Sequence, residues 1–150
     1  MKLGQELRKA ARVFIIGNGG SAANAIHICN DFLAVGIKAH TLDLATLTAS
    51  ANDFGYETVF SRWVEFCGEK SDVLIALSGS GRSPNIGMAV LSAKARGMET
   101  IGVFGAYNED QIQVDICVQG GDTMQEAEQH QIAWGHEVIR VRHTTYPATL

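Results

Sequence analysis

Three serine hydroxyls occur within six residues of one another, at Ser78, Ser80 and Ser83. They follow the apolar run 72–77, which predicts a buried strand, and they precede Pro84, which fits the first turn of a helix. The N-terminus of a helix carries a partial positive charge, and hydroxyls donate hydrogen bonds without steric bulk. The segment therefore predicts a phosphate-binding loop. No Gly-Lys-Ser/Thr follows, which argues against a Walker-type nucleotide loop.

A second loop of small residues, 17–21 (Gly-Asn-Gly-Gly-Ser), lies between the predicted strand 12–16 and a predicted helix. Its pattern Gly17-x-Gly19-x-x-Ala22, with Asp43 about twenty residues further on, also satisfies a relaxed dinucleotide-binding fingerprint. That interpretation leaves the serine-bearing loop without a role. A single sugar phosphate could contact both loops, so the two loops together favour that ligand over a dinucleotide.

A third group of residues could transfer protons or bind a metal ion. His27 and Asp31 are four positions apart on one predicted helix, so their side chains share a face. His136 lies on the last predicted helix, together with Glu126, Glu128, Gln129 and His130. Imidazoles and carboxylates are zinc ligands, and they are also common proton-transfer groups in general acid–base catalysis. The alternative is that His27 is a buried, hydrogen-bonded histidine and that Glu128 belongs to a solvated helix face.

The scaffold that must position these side chains alternates strands and helices. Apolar runs predict strands at 12–16, 38–42, 72–77, 100–104 and 114–118, and helical patterns cover 22–33, 56–67, 84–96 and 122–142. This alternation predicts an α/β fold with a parallel sheet covered by helices on both faces, in which ligands bind at the carboxyl ends of the strands. We expect a single domain over 1–150 with a frayed tail at 143–150.

Composition and charge narrow the class of protein further. The chain has 150 residues, 46% of them hydrophobic, and a formal net charge of −4. The negative net charge argues against a nucleic-acid partner, because such proteins usually carry a basic surface. We expect no membrane association, because the sequence has neither a signal-peptide core nor a membrane-length apolar run. The 3 cysteines show no CxxC spacing and suit a reducing compartment, so we expect a cytoplasmic protein.

Three segments of the sequence form a recognisable combination: Gly17-Asn18-Gly19-Gly20-Ser21-Ala22-Ala23, Asn52-Asp53-Phe54-Gly55 and Leu77-Ser78-Gly79-Ser80-Gly81-Arg82-Ser83-Pro84-Asn85. Together they resemble the sugar isomerase (SIS) domain, and within it the phosphoheptose isomerase branch. The resemblance covers roughly residues 12–140. It implies a three-layer αβα sandwich with a flavodoxin-like parallel sheet, and a homotetramer (or homodimer) with active sites between subunits.

The resemblance also implies roles for individual residues. It assigns phosphate and sugar binding to the three segments, through Asn18, Gly19, Ser21, Asn52, Asp53, Ser78, Gly79, Ser80 and Ser83. A His-x-x-x-Glu pair and a Gln followed eight residues later by His hold zinc in some members. Carried over by position, these four ligands of an expected Zn²⁺ fall on His27, Asp31, Glu128 and His136. Asp31 would act as the base and His136 as the second proton-transfer group.

The sequence departs from the family pattern at several positions. Asp31 is one methylene shorter than Glu, a loss of about 1.5 Å of reach that can matter for proton transfer. Glu128 has the family spacing but not the residue type, whereas Gln125 has the type but not the spacing. Gly79 stands where the family often has a hydroxyl. The segment before Arg12 is shorter than the branch generally has, which indicates a trimmed or minimal N-terminus.

Two hypotheses about function follow from the residues and the resemblance. The first is an isomerase that converts sedoheptulose 7-phosphate to D-glycero-D-manno-heptose 7-phosphate through an enediol, for envelope or capsule heptose. The second is a non-catalytic SIS module that binds a sugar phosphate or a protein partner as a regulator. Asp31 and the missing last-helix Gln favour the second, whereas the two loops together with His27 and His136 favour the first.

Overall fold

The computed structural model describes residues 2–140, which are built around a five-stranded parallel sheet. The strands, in the spatial order β2-β1-β3-β4-β5, are β1 (Val13–Ile16), β2 (Ala39–Thr41), β3 (Val73–Ser78), β4 (Glu99–Phe104) and β5 (Ile116–Gln119). The order reverses between β1 and β3, and ligands of doubly wound sheets bind at such a switch point. The predicted α/β fold with a flavodoxin-like sheet is confirmed.

The helices form a layer on each face of this sheet. They are α1 (Lys2–Lys9), α2 (Gly20–Ala34), α3 (Leu44–Phe54), α4 (Val59–Cys67), α5 (Pro84–Ala95) and α6 (Met124–Ile139). Alternate residues of β1 point to opposite faces, so Ile15 packs under α1, α2 and α6, and Phe14 packs under α4 and α5. Two apolar cores therefore fix α2 and α5, the helices that follow the two loops.

The register of the two central strands brings those loops together. Ile16 of β1 pairs with Ala76 of β3, so the segment 17–21 leaves the sheet beside the segment that begins at Ser78. We call 17–21 the glycine loop and 78–83 the serine loop. Their adjacency follows from the parallel pairing of β1 with β3 at the switch point.

Helix α3 was not predicted from the sequence, because none of its residues is buried and it therefore carries no strong apolar periodicity. Its start is set by Asp43, which accepts hydrogen bonds from the backbone N–H (2.9 Å) and hydroxyl (2.6 Å) of Thr46. These bonds lower the pKa of the Asp43 carboxyl. Asp43 is thus a helix cap, which accounts for the carboxylate that also fitted the dinucleotide pattern.

Several predicted boundaries shift by a few residues. The predicted helix 56–67 is a 3-10 turn, Tyr56–Thr58, followed by α4. The last helix begins at Met124, because Thr123 and Glu126 form a capping box in which each side chain bonds the backbone of the other. Its predicted end at 142 and the predicted tail 143–150 lie outside the described residues. Within residues 2–140, no helix has the length and apolar character needed to cross a membrane.

Candidate functional site

The serine loop arranges three hydroxyls at the corners of a nearly equilateral triangle. The Oγ atoms of Ser78 and Ser83 lie 3.4 Å apart, and that of Ser80 lies 3.5 Å from each of the other two. Ser83 occupies the N-cap of α5, yet its side chain makes no capping bond to the helix. Hydroxyl donors at the positively polarised end of a helix suit a phosphate group, whose oxygens are strong acceptors.

The backbone of the serine loop is held in this shape by local and distant hydrogen bonds. The N–H groups of Gly81 and Arg82 donate to the hydroxyls of Ser78 (3.1 Å) and Ser80 (3.3 Å). Gly81 has φ +64°, a left-handed conformation that favours glycine. From the segment after β4, Asn108 Nδ2 donates to the Ser80 carbonyl (2.9 Å) and Ile112 N–H donates to the Gly81 carbonyl (2.8 Å).

The glycine loop differs from the serine loop because it lies next to a carboxylate. Its Ser21 is only 3% exposed, in the first turn of α2, and Gly19 is exposed at the tip. The carboxylate of Glu128 lies against Gly20, the first residue of α2. The N-terminal end of α2 therefore already faces a negative charge. This favours the serine loop over the glycine loop as the phosphate-binding site.

Asn18 of the glycine loop is bonded to two other segments. Its side chain and that of Asn85, at the start of α5, exchange two hydrogen bonds of 2.8 Å. The Tyr56 hydroxyl donates to Asn18 Oδ1 at 2.7 Å. The other residues expected near the sugar, Asn52 and Asp53, are exposed on α3 and are bonded to each other at 2.9 Å.

The structure brings together His27, Asp31 and His136, which we call the His–Asp cluster. The Nε2 atoms of the two histidines are 3.1 Å apart, and Asp31 Oδ2 lies 3.2 Å from each. The side chains of His27 and His136 are 50% and 53% exposed and that of Asp31 is 21% exposed, so a ligand can reach the cluster. Asp31 contacts both imidazoles despite its short side chain.

Close packing between α2 and α6 creates this cluster. A Cβ atom on Gly135 would lie 2.7 Å from Cγ1 of Ile28, so the glycine lets the two helices approach at the residues next to His136 and His27. Asn24 on α2 adds hydrogen bonds from Nδ2 to the Glu128 carbonyl (2.9 Å) and to Gln131 Oε1 (3.0 Å). Gly135 is therefore the signal in the sequence that marks this helix crossing, and it is not among the predicted site residues.

Two nitrogen donors and one oxygen donor in this arrangement fit a zinc ion. The candidate ligand atoms lie within 4.8 Å of one another. Three protein ligands with an open fourth position are typical of catalytic zinc sites. The fourth residue expected from the sequence, Glu128, lies outside this group of three. Its backbone is two helical turns, about 12 Å, from His136, and its carboxylate faces Gly20 instead.

Gln125 and Glu128 share a groove with His136. The groove has a volume of about 560 Å³ and is also lined by Asn24, Gln129 and Ile132. It extends along α6 from Gln125 to His136, a member of the His–Asp cluster. The two last-helix candidates are thus on the same open surface as the cluster, although they do not join it.

Comparison with known proteins agrees with the sequence resemblance. The model of the SIS domain family matches residues 3–105. The chain is similar to the phosphoheptose isomerase of Burkholderia pseudomallei (strain 1710b), with 45% identity over 107 residues, or 66% of this chain and 54% of that protein. The chain thus spans about half the length of several relatives that it matches.

Two further similarities cover more of both chains. The phosphoheptose isomerase of Rhodospirillum rubrum is 38% identical over 140 residues, which are 87% of this chain and 74% of that protein. The structure of a phosphoheptose isomerase from Neisseria gonorrhoeae matches with a TM-score of 0.84 and 27% identity, over 91% of this chain and 80% of that one. The similarity therefore extends beyond the loops to most of the fold.

Proposed function

The chain belongs to the SIS domain family, and we propose that it is an isomerase that converts sedoheptulose 7-phosphate to D-glycero-D-manno-heptose 7-phosphate. The observation that carries this proposal is the contact of one carboxylate, that of Asp31, with two imidazoles at 3.2 Å. Carboxylate and imidazole are the groups that proton transfer between C1 and C2 of a sugar requires. The similarity to phosphoheptose isomerases supports the choice of substrate.

In the proposed reaction, the serine loop binds the phosphate. Its three hydroxyls, all 3.4 to 3.5 Å apart, donate to the phosphate oxygens, and the N-terminus of α5 adds its partial positive charge. Anchoring the substrate at one end restricts where its carbonyl carbon can lie, which lowers the entropic cost of reaching the reactive geometry.

Asp31 is the proposed base. Its Oδ2 faces both histidines, so Oδ1 is the oxygen that can accept the proton from C1 of the ketose. His136 Nε2 faces the cluster, so its other ring nitrogen, Nδ1, is the atom that can move the hydroxyl proton or return a proton at C2, which completes the passage through the enediol. A zinc ion held by His27, Asp31 and His136 would polarise the substrate carbonyl when bound.

We further propose that the sites are completed by neighbouring subunits in a homotetramer. Ile26 and Leu33 on α2 are 61% and 54% exposed and lie seven positions apart, on one side of the helix next to His27. Such exposed apolar residues beside a half-exposed cluster suit a subunit contact. In the cytoplasm, the product would supply heptose for envelope or capsule sugars.

Conversion of sedoheptulose 7-phosphate in the presence of zinc, followed by NMR in D₂O, tests the function. We expect a heptose 7-phosphate that carries deuterium at C2, because the enediol takes a proton from solvent. Binding of the sugar phosphate without turnover would instead support a non-catalytic SIS module. The position of Glu128, outside the His–Asp cluster, is the observation that favours that second candidate. If the sugar phosphate neither binds nor reacts, both the isomerase and a module that binds this sugar phosphate are excluded.

A further inference from the structure

We propose that Tyr56 and Asn85, neither of which has an assigned role, are positioning residues that hold the side chain of Asn18 in one orientation. In that orientation the side chain of Asn18 can donate a hydrogen bond to a ligand but cannot accept one from it. The inference deepens the proposed function and depends on it for the identity of the ligand. Its basis is a set of hydrogen bonds that joins the glycine loop, the 3-10 turn after α3 and the first turn of α5.

The acceptor capacity of Asn18 is fully used by these bonds. A carboxamide oxygen has two lone pairs. Asn18 Oδ1 accepts from Asn85 Nδ2 at 2.8 Å and from the Tyr56 hydroxyl at 2.7 Å. The Asn18 amide has two N–H bonds, and one of them is directed to Asn85 Oδ1 at 2.8 Å. The second N–H is the polar group that remains for a ligand, and it belongs to a side chain that is partly exposed.

The orientation of the amide pair is fixed by a backbone group. The oxygen and nitrogen of an asparagine side chain are assigned from the hydrogen bonds they make. The backbone N–H of Ile86 lies 3.0 Å from Asn85 Oδ1 and can only donate, so that atom must be the oxygen. Asn85 therefore directs its NH₂ group toward Asn18, and the Asn18 atom that accepts this hydrogen bond must be its oxygen. Asn85 is 2% exposed, which shields the pair from water.

The consequence is selectivity for the ligand group that faces Asn18. Because the free group of Asn18 is an N–H donor, it binds a ligand group that accepts a hydrogen bond, such as a carbonyl, a hydroxyl oxygen or a phosphate oxygen. A ligand group that can only donate is disfavoured at this position. Tyr56 also follows α3, the helix that carries Asn52 and Asp53, so the same bond fixes that helix relative to the glycine loop. Both effects pass through Asn18, and Tyr56 need not touch the ligand.

A double-mutant cycle on the full chain tests whether Tyr56 acts through Asn18. Tyr56 is 50% exposed, and Tyr56→Phe removes only its hydroxyl. We expect Tyr56→Phe to raise KM for sedoheptulose 7-phosphate about three- to tenfold, the loss of one hydrogen bond, with kcat nearly unchanged. The same substitution made on top of Asn18→Ala should have no further effect. Tyr107→Phe, at a tyrosine that is 70% exposed, is the matched control and should leave KM unchanged.

Two outcomes of the cycle would overturn the proposal. An equal rise in KM with and without Asn18 would mean that Tyr56 contacts the substrate itself. An unchanged KM in Tyr56→Phe would mean that the bond positions nothing. If the protein binds sedoheptulose 7-phosphate without turnover, the same cycle is measured as dissociation constants by calorimetry.

The orientation of Asn18 is also tested without any substrate. The NMR signals of its side-chain NH₂ group are those that disappear in Asn18→Ala. We expect both Tyr56→Phe and Asn85→Asp to shift these signals, because each removes a donor to Asn18 Oδ1. If the signals do not move, the network is absent and the inference is wrong whatever the enzyme does. If they move but no sugar phosphate binds, the orientation is supported and the proposed function alone fails.

Discussion

Nε2 of His27 lies 3.1 Å from Nε2 of His136, although the two residues are 109 positions apart in the chain. Two N–H groups cannot point at each other at this distance, so the two nitrogens share one proton, donate to Asp31, or face a common ligand. Asp31 Oδ2 at 3.2 Å from both nitrogens supplies a negative charge at the same point. The three atoms therefore converge on a position where a cation is favoured.

The first prediction concerns metal binding at this position. Replacing His136 by alanine removes one of three ligand atoms, so we expect zinc content to fall from about one ion per chain to less than about a tenth. Turnover of sedoheptulose 7-phosphate should be lost, whereas the affinity for inorganic phosphate should not change, because the serine loop is intact. Elemental analysis of protein purified without chelators, with calorimetry for phosphate, measures both.

A matched histidine gives the control for that experiment. His40 on β2 is exposed and is not a member of the His–Asp cluster, so His40→Ala should retain metal and activity. Full activity in His136→Ala would show that the acid–base assignment is wrong.

The second prediction concerns the serine loop. Ser80→Ala removes one of three hydroxyls whose oxygens lie within 3.5 Å of one another, and a hydrogen bond to a charged group contributes about 1.5–3 kcal/mol. We expect the dissociation constant for phosphate and KM for the sugar phosphate to rise at least tenfold, with a smaller change in kcat. Ser71→Ala, at an exposed serine just before the amino end of β3, is the control. A larger effect on kcat than on KM would argue against a role in anchoring.

The third prediction is a pH dependence of stability that arises at Asp115. Hydrogen bonds from the hydroxyl and then the backbone N–H of Thr100, with the charge of Lys94 nearby, lower the pKa of this carboxyl in the folded state. Its ionised form therefore stabilises the fold at pH values above its unfolded pKa, near 3.9, and this contribution is lost as the pH falls through the lower folded value.

Thermal unfolding of Asp115→Asn measures this contribution. The Asp115 side chain is 47% exposed, so we discount the effect for solvent screening and expect Tm near pH 7 to fall by only about 3 °C. The difference from the unmodified protein should shrink as the pH is lowered from about 5 to about 3. A difference that stays constant over that range would show that the charge of Asp115 is not responsible. Asp110→Asn, at an exposed position, serves as the control.

The sequence was most informative where local chemistry and periodicity coincide. The strands around Ile15 and Ile75 are fully buried and bounded by glycine and serine, so both the strands and their loops could be predicted. Helix α3 could not, since it buries none of its residues. The spacing of His27 and Asp31 places them on one helix face, but their contact with His136 depends on how α2 packs on α6.

Long-range polar pairs were the least predictable part of the site. Asn18 and Asn85 are 67 positions apart, and an asparagine carries no periodic signal that marks it as buried. Their pairing follows from the β1–β3 register, which places the glycine loop beside the start of α5. The side chain of Glu128 presents the same difficulty, because spacing on α6 gives its position but not its direction.

The last prediction concerns Gly79, where the family often has a hydroxyl residue. The backbone there does not have a positive φ, so the conformation allows a side chain. The space is occupied instead, since a Cβ atom on Gly79 would lie 2.5 Å from Cε and 2.8 Å from Sδ of Met124. The Met124 side chain is 51% exposed and unbranched, so it can move aside with some loss of stability. We therefore expect Gly79→Ser alone to lower the free energy of unfolding by about 1 kcal/mol, a modest overpacking effect.

Replacing Met124 by alanine should abolish this loss of stability. In Gly79→Ser combined with Met124→Ala, the serine has room, and we expect its hydroxyl to supply a fourth donor in the serine loop. We expect this double variant to recover the Tm of Met124→Ala alone and to bind inorganic phosphate more tightly than that single variant. Gly81→Ser is the contrasting case, because φ +64° strains any side chain there, and Met124→Ala should not rescue it. Equal destabilisation by Gly79→Ser with and without Met124 would show that the methionine does not fill the place of the missing hydroxyl.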